Sequence, residues 1–386
     1  MPDIASSPAE RVRTGTREVL AAALISSRAR TLELLDAFAT ALGEDLIVPS
    51  SPQLNPPLWE VGHVGWFQDF WIARNRQRAR GIACDPDHAR LPGRLLGADA
   101  LYNSSTVAHQ SRWNLPLPGI AQTKAYLAEG LAETLALLSQ LPAPQDSQDN
   151  LYFFRLALFH EDMHAEAGAY MAQALDIPLP DPPAARTSQP SGTLHFPAAR
   201  QTLGYQGSGF AFDNELGAHD VAVPAFEIDA GVVTWERYLP FIDAGGRPPP
   251  RYLRRSGHAW QQRVFGRWRA LPLDAPAVHL SWHDADGWCR WAGRRLPGEA
   301  EWEHAALTDS SFSWGAVWEW TSSPFTAYPG FRPHPYVDYS APWFGDRHVL
   351  RGAGPATSPR MVHPCYRNFF TPERDDIYAG FRSCAV

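Results

Sequence analysis

Cysteine is scarce: four residues in 386, Cys84, Cys289, Cys365 and Cys384, none of them in a CxxC pair. That spacing argues against a disulfide framework and makes a reducing compartment the expectation. No run of about 18 apolar residues occurs, so no membrane span is expected. The opening Met1-Pro-Asp-Ile-Ala-Ser-Ser-Pro has neither the basic nor the apolar region of a secretory signal, which points to a cytoplasmic protein. Excess basic charge is absent too. A formal net charge of −7 disfavours a nucleic-acid surface, which is normally basic. What the chain does have is ordinary globular composition, 45% hydrophobic and 19% charged, with 15 Trp and 35 Pro. Most of the tryptophans are expected to pack core, and some to line clefts.

The length suits two domains. Apolar positions recur at three-to-four spacing over 9–42, including Val12, Val19, Leu20, Leu24, Leu35 and Phe38, which predicts a helix there. Further helices are expected at about 57–79, behind Pro56-Pro57, at 119–140 and at 148–175. Four helices with loops between them suggest an up-down bundle, a common host for metal sites built across facing helices. From 177 to 193 the composition shifts to Ile177-Pro-Leu-Pro-Asp-Pro-Pro and Ser188-Gln-Pro-Ser-Gly, which reads as an extended linker. Beyond it the helical period fades. Short β-type runs appear at Val221–Ile228 and Val349–Gly352, with one helix at Trp282–Ala292. The expected organisation is an α+β chain: a bundle over 1–176, a linker over 177–193 and a loop-rich domain over 194–386.

The fourth helical segment holds Phe159-His160-Glu161-Asp162-Met163-His164-Ala165-Glu166. Histidines at i and i+4 share one helical face, so both imidazoles can reach one metal ion. Phe153 and Leu156 precede them on nearly the same face, which points it into the bundle. The segment also satisfies the zinc-peptidase pattern H-E-x-x-H; nothing downstream on the helix clearly supplies a third ligand, although Glu166 is nearby. Two buried, hydrogen-bonded core histidines are the other reading. The second segment, Leu58-Trp-Glu-Val-Gly-His63-Val-Gly-Trp-Phe, adds His63 between Gly62 and Gly65, where a helix or ligand can approach closely. The three histidines make a set from two helices that leaves metal positions open. Imidazoles suit Fe, Zn, Cu or Ni, so ligand type does not choose among them.

Downstream, five blocks occur in order: Pro276-Ala-Val-His-Leu-Ser-Trp-His-Asp-Ala285, Trp291-Ala-Gly-Arg-Arg-Leu-Pro-Gly-Glu-Ala-Glu-Trp-Glu303, Val317-Trp-Glu-Trp-Thr-Ser-Ser323, Val349-Leu-Arg-Gly352 and Ala379-Gly-Phe-Arg382. Together they resemble the formylglycine-generating-enzyme domain, a C-type-lectin-like fold with sparse regular structure, over about 200–386. The N-terminal half resembles a DinB-like four-helix bundle. The pairing resembles the ergothioneine-type sulfoxide synthases over the whole chain. The resemblance implies that His63, His160 and His164 bind iron(II), that O2 is a co-substrate and that the site lies between the domains. A copper formylglycine generator needs two cysteines five residues apart; Cys365 matches one position, but Arg360 stands at the other.

The resemblance implies further roles. In Pro335-Tyr336-Val-Asp-Tyr339, Tyr336 matches the tyrosine that supplies a proton or hydrogen atom during oxygen use, with Tyr339 as its neighbour or substitute. Arg367-Asn368-Phe369-Phe370 occupies a substrate-binding stretch for hercynine, the trimethylammonium form of histidine. Asn368 would meet the betaine, and Phe369 would supply an aromatic face for its cation. Three departures point away from an amino-acid thiol as second substrate: Phe370 where an Asp is common, Met163 where a Gln is common, and a short loop between Glu303 and Val317. The polar segment Leu101–Trp113, with Asn103, Ser104 and Ser105, suits a sugar, although the same residues also suit a turn. The expected branch therefore couples hercynine to a selenosugar, forming selenoneine. The alternatives are coupling to cysteine or γ-glutamylcysteine, and a non-catalytic betaine-binding metal protein. Arg90, Arg94, His109 and Arg112 are further cleft candidates.

Overall fold

A computed structural model describes residues 6–141, 148–183 and 189–386. Among them the helices are α1 (Pro8–Thr14), α2 (Arg17–Leu42), α3 (Pro57–Gln68), α4 (Ala98–Tyr102), α5 (Ile120–Ser139), α6 (Gln148–Ala174), α7 (Trp235–Asp243), α8 (Trp282–Trp291) and α9 (Glu299–Thr308). The strands are β1 (Thr193–Phe196), β2 (Ala199–Leu203), β3 (His219–Val223), β4 (Phe226–Asp229), β5 (Leu253–Ser256), β6 (Ala259–Val264), β7 (Arg267–Ala270), β8 (Arg294–Arg295), β9 (Trp318–Pro324), β10 (His348–Gly352), β11 (Asn368–Phe370), β12 (Ala379–Gly380) and β13 (Cys384–Ala385). Helix thus dominates the first half and short strands the second, an α+β chain.

α2, α3, α5 and α6 pack on one another as the bundle. The expected single helix over 9–42 is two. A side chain at Gly15 would put its Cβ 2.1 Å from the Arg11 carbonyl oxygen, and the backbone turns extended there. The turn lets α1 leave the bundle and drive Arg13 into the second half, where it pairs with Glu215 at 2.7 and 2.8 Å. The helix expected over 57–79 also stops early. α3 starts on Pro57, whose fixed φ suits a first helical position, and runs into one π-helical turn at Asp69–Ala73. Asn75 then accepts from the Gln77 amide at 2.9 Å, an Asx turn that competes with continued helix. The run Val221–Ile228 is likewise split. Pro224 cannot donate to a ladder, so β3 pairs with β2 while β4 lies between β1 and β13.

Two small four-stranded sheets, β1-β4-β13-β8 and β11-β10-β9-β12, organise the second half. The blocks that carry the family resemblance form its interior. Glu303 pairs with Arg351 at 2.7 Å, and Glu319 with Arg382, with all four side chains at 0% exposure. The Trp320 indole donates to the Leu280 carbonyl at 2.8 Å. Such buried pairs persist because each charge has a partner and further hydrogen bonds. The two halves share one apolar core that includes Phe153, Phe159, Phe210, Phe212 and Trp318. Polar bonds also cross the joint: Arg360 holds Asp162 at 2.9 and 2.7 Å, and the Trp318 indole donates to Glu166 at 2.6 Å. β11, at the edge of its sheet, thereby faces α6 across a cavity.

Candidate metal centre

Three histidines meet at the bundle side of this cavity. α6 brings His160 and His164 one turn apart, and α3 brings His63. α3 lies close enough because Gly62 has no side chain: a Cβ there would sit 2.3 Å from the Tyr102 ring of α4. That close approach places the Tyr102 carbonyl 2.8 Å from His63 Nδ1. Nδ1 therefore carries the proton, and the Nε2 lone pair is free. His164 Nδ1 lies 2.6 Å from Glu60 Oε1 and is oriented the same way. His160 Nε2 is 3.2 Å from His63 Nε2 and 3.1 Å from His164 Nε2. Burial depresses His63 to about 3 and His160 well below the usual imidazole range, so both are neutral at neutral pH.

Imidazole nitrogens facing one another at these distances fit a shared cation. Two donors each about 2.1 Å from one ion and at right angles lie about 3 Å apart. The ligand atoms of the three residues all lie within 4.8 Å of one another. The outer shell is equally ordered. Asn55 donates to Glu60 Oε2 at 2.6 Å, and Arg112 donates to Asn55 Oδ1 at 2.7 Å. The Arg112 guanidinium lies 3.8 Å above the Trp59 ring, and Trp59 stacks on His63 at 4.9 Å. Partners of this kind fix the tautomer and orientation of ligating histidines. Phe67 stacks on His160 at 3.5 Å, leaving His160 Nδ1 as a buried nitrogen without a hydrogen bond.

The cavity measures about 710 Å³, within the range of small-molecule sites. His160, His164 and Glu60 form part of one wall. Tyr336, Tyr339 and Trp343 come from the long loop after β9, and Asn368, Phe369 and Phe370 from β11. Tyr336 packs edge-on to Phe67 at 4.9 Å and lies 6.1 Å from the His160 ring. Burial and the nearby Asp338 push its phenol up to about 12, against a hydrogen bond from Ser104. Tyr339 stacks on Phe212 at 4.3 Å, and its hydroxyl meets that of Tyr366 at 3.2 Å. The Tyr366 hydroxyl reaches Met163 Sδ at 3.5 Å. Phe369 stacks on Phe325 at 4.0 Å.

Several residues singled out from the sequence lie elsewhere. Arg367 is fully buried behind β11, where it binds Glu299 at 3.0 and 3.1 Å and the Asn214 and Thr326 carbonyls. It supports the strand and does not line the cavity. Asn103 turns its side chain back on the Ser105 amide at 3.0 Å, the turn role, while Ser104 and Ser105 reach the wall. Arg90 covers the Phe70 and Trp71 rings, and Arg94 pairs with Asp69 and Glu133. His109 and Arg112 do line the cavity. Cys365 is buried beside Tyr205 and Ala211, and Arg360 is committed to Asp162.

Three carboxylate residues, Glu60, Glu166 and Asp338, line the cavity without having been assigned to it from sequence. Glu60 lies one turn before His63 on the same face, a spacing that could have exposed it. Glu166 lines the cavity at 7% exposure. Its Oε1 accepts from the Tyr170 hydroxyl, the Trp318 indole at 2.6 Å and the Thr357 hydroxyl at 3.0 Å. Burial raises its carboxyl against these bonds. A carboxylate is therefore present in the cavity even though Phe370 stands where an Asp was expected.

The DinB superfamily matches residues 23–167, and the sulfatase-modifying factor enzyme 1-like domain matches residues 181–316. The hercynine oxygenase of Mycolicibacterium smegmatis is 31% identical, over 95% of this chain and 98% of that protein. The hercynine oxygenase of Mycobacterium tuberculosis shows the same identity and coverage. The formylglycine-generating enzyme of Streptomyces coelicolor is 33% identical, over 53% of this chain and 91% of that protein. With 95% of its length matched, across both domain matches, this chain is an oxidoreductase and belongs to the hercynine oxygenase family.

Proposed function

We propose that this enzyme holds iron(II) on His63, His160 and His164 and uses O2 to join a selenosugar, through selenium, to hercynine. The observation that carries the reading is the convergence of three imidazole Nε2 atoms beside a cavity walled by aromatic rings, neutral polar groups and Glu166. Oxygenase chemistry calls for a redox-active ion, which zinc is not; iron is an imidazole-binding metal that meets the requirement. Bound there, iron would supply oxygen activation and a position for a soft anionic donor.

The chain's own groups place the substrates. A trimethylammonium group donates no classical hydrogen bond and is held by aromatic faces, each worth about 0.5–2 kcal/mol. Phe369 and Phe370 offer such faces, and the Glu166 carboxyl adds a polar group to the same cavity. Asn368, on the cavity wall, would meet the betaine carboxylate. Tyr336, protonated at neutral pH, holds a hydroxyl hydrogen beside the histidines. Gln53, Asn55, Ser104 and Ser105 give the outer wall neutral donors and acceptors, which suit sugar hydroxyls. Coupling competes with wasteful oxidation only if the reacting atoms sit about 3–3.5 Å apart, so the rigid walls are the protein's main contribution.

A second reading has its own support: Glu166 and Asp338 could meet the ammonium of cysteine or γ-glutamylcysteine. A competition experiment separates the two. The iron-loaded enzyme receives hercynine, O2 and equal amounts of a 1-seleno sugar, cysteine and γ-glutamylcysteine, and product masses are read. A dominant hercynine–selenosugar adduct is expected. A dominant sulfoxide of an amino-acid thiol would replace the proposal with the second reading.

A further inference from the structure

A second hollow, about 580 Å³, lies between the Pro178–Pro183 stretch, the β5-β6-β7 sheet and the Val278-His279 turn. It is separated from the histidine cavity by Tyr170 and Tyr378, whose rings lie 5.6 Å apart. Tyr170 lines the first hollow and Tyr378 the second.

Its charge sets it apart from the rest of an acidic chain. Residues 251–270 contain six arginines and no Asp or Glu. Arg251, Arg255 and Arg263 are paired with Asp375, Asp243 and Asp176, and Arg254 is bonded to Gln261. Arg267 and Arg269 remain. Neither has an ion pair or side-chain hydrogen bond to a described residue. Two apart on β7, they project from one face of the sheet, opposite Val264 and Gln262, and both line the hollow. Among the described residues no carboxylate lines the hollow. The deeper wall, including Leu179, Val278 and Tyr378, is apolar.

The frame is fixed. The Gln173 side chain on α6 donates to the Arg263 carbonyl at 2.9 Å and accepts from the Phe265 amide at 2.8 Å, which ties the sheet to the bundle. At the inner end, His279 is 3% exposed and has φ +61°, a backbone region that non-glycine residues rarely adopt. Its Nδ1 is buried without a hydrogen bond. Strained backbone and orphaned polar atoms of this kind concentrate at functional sites.

We infer that this hollow binds a small organic anion, with its acidic group at Arg267 and Arg269 and its apolar body against Leu179, Val278 and Tyr378. The inference is independent of the chemistry proposed for the histidine cavity. Two probes of equal apolar body, 2-naphthalenesulfonate and the neutral 2-naphthalenemethanol, are titrated calorimetrically into the full-length iron-loaded enzyme. One-to-one binding is expected, with the sulfonate favoured about tenfold or more, given two nearby positive charges. In R267E/R269E, and to a lesser degree in R267Q/R269Q, the sulfonate loses that advantage while the alcohol's affinity and the enzyme's oxygen consumption stay unchanged. V264W, which fills the hollow, weakens both probes. Absence of saturable one-to-one binding, or equal sulfonate affinity in the parent and R267E/R269E, would overturn the inference.

Discussion

Glu60→Gln tests the metal centre without touching a ligand. In the parent, the hydrogen-bond chain runs in one direction. Arg112 donates to Asn55, Asn55 donates to Glu60 Oε2, and Glu60 Oε1 receives the His164 Nδ1 proton at 2.6 Å. A glutamine in place of Glu60 keeps one acceptor and turns the other into a donor. Its amide nitrogen must then face either the His164 N–H or the Asn55 amide. Reversing Asn55 to avoid the clash would break its bond to Arg112. The negative charge that strengthens His164 as a donor to a cation is also lost. Removing an outer partner of a ligating histidine typically lowers metal affinity about 10–100-fold, or about 1.4–2.7 kcal/mol. We expect Glu60→Gln near the lower figure and Glu60→Ala, which leaves His164 Nδ1 unpartnered, near the upper. The assay is anaerobic competition for iron(II) between the protein and a chromophoric chelator, with metal-free thermal unfolding as the control for folding. Affinities within twofold of the parent in both variants would refute the claim that this chain orders the metal site.

Other consequences can be checked separately. Arg360→Ala leaves Asp162, whose side chain is at 0% exposure, buried with Ser27 as its remaining partner; urea unfolding should show a loss of about 3 kcal/mol, and a loss under 1 would argue against an anchoring role. Tyr336→Phe should keep consuming O2 while the coupled product falls at least tenfold, and unchanged coupling would remove Tyr336 from the chemistry. Burial depresses His279 and His334 to about 4 in the fold, so between about pH 6.5 and 4 the unfolded chain binds more protons than the native one. Their contribution is therefore complete above about pH 6.5 and is lost as pH falls towards 4, by up to about 3 kcal/mol each. His334→Gln should flatten that slope in urea titrations at pH 7 and 4.5, and a parallel slope would count against it. Phe370→Asp should shift the competition experiment towards amino-acid thiols, and an unchanged product ratio would make position 370 neutral for donor choice.

The sequence disclosed the architecture and the histidines because each rests on local pattern. The i, i+4 spacing of His160 and His164 is a one-turn property, and Pro57 and Gly62 mark α3 for an early start and a close neighbour. The resemblance blocks were legible for a different reason: Glu303, Glu319, Arg351 and Arg382 are locked in buried pairs that the fold cannot lose singly. The misplacements have long-range causes. Arg367 sits next to Asn368 in sequence, but just before β11 its side chain is drawn to the buried Glu299 while Asn368 lines the cavity. The early end of α3 depends on the Asn75 side chain and a π turn, neither of which shows as hydrophobic period. Glu166 stood out only as a neighbour of the histidine motif, because the partners that fix it in the cavity, Trp318 and Thr357, lie more than 150 residues away.

These contacts make α6 the common reference for both halves of the site. One stretch of it presents His160 and His164 towards α3, and Met163 and Glu166 towards the second domain. Its flanking charges are clamped from two sides: Glu161 by Arg28 of α2 at 2.8 and 3.1 Å, and Asp162 by Arg360. The histidine donors and the β11 wall are therefore positioned from the same rod, although they belong to different domains. A rotation of α6 that moved His160 would also shift Glu166 away from the Trp318 indole. In a packed interior such a shift is resisted by many close contacts at once. The separation between the three histidines and the β11 wall is thus set by buried hydrogen bonds at the joint.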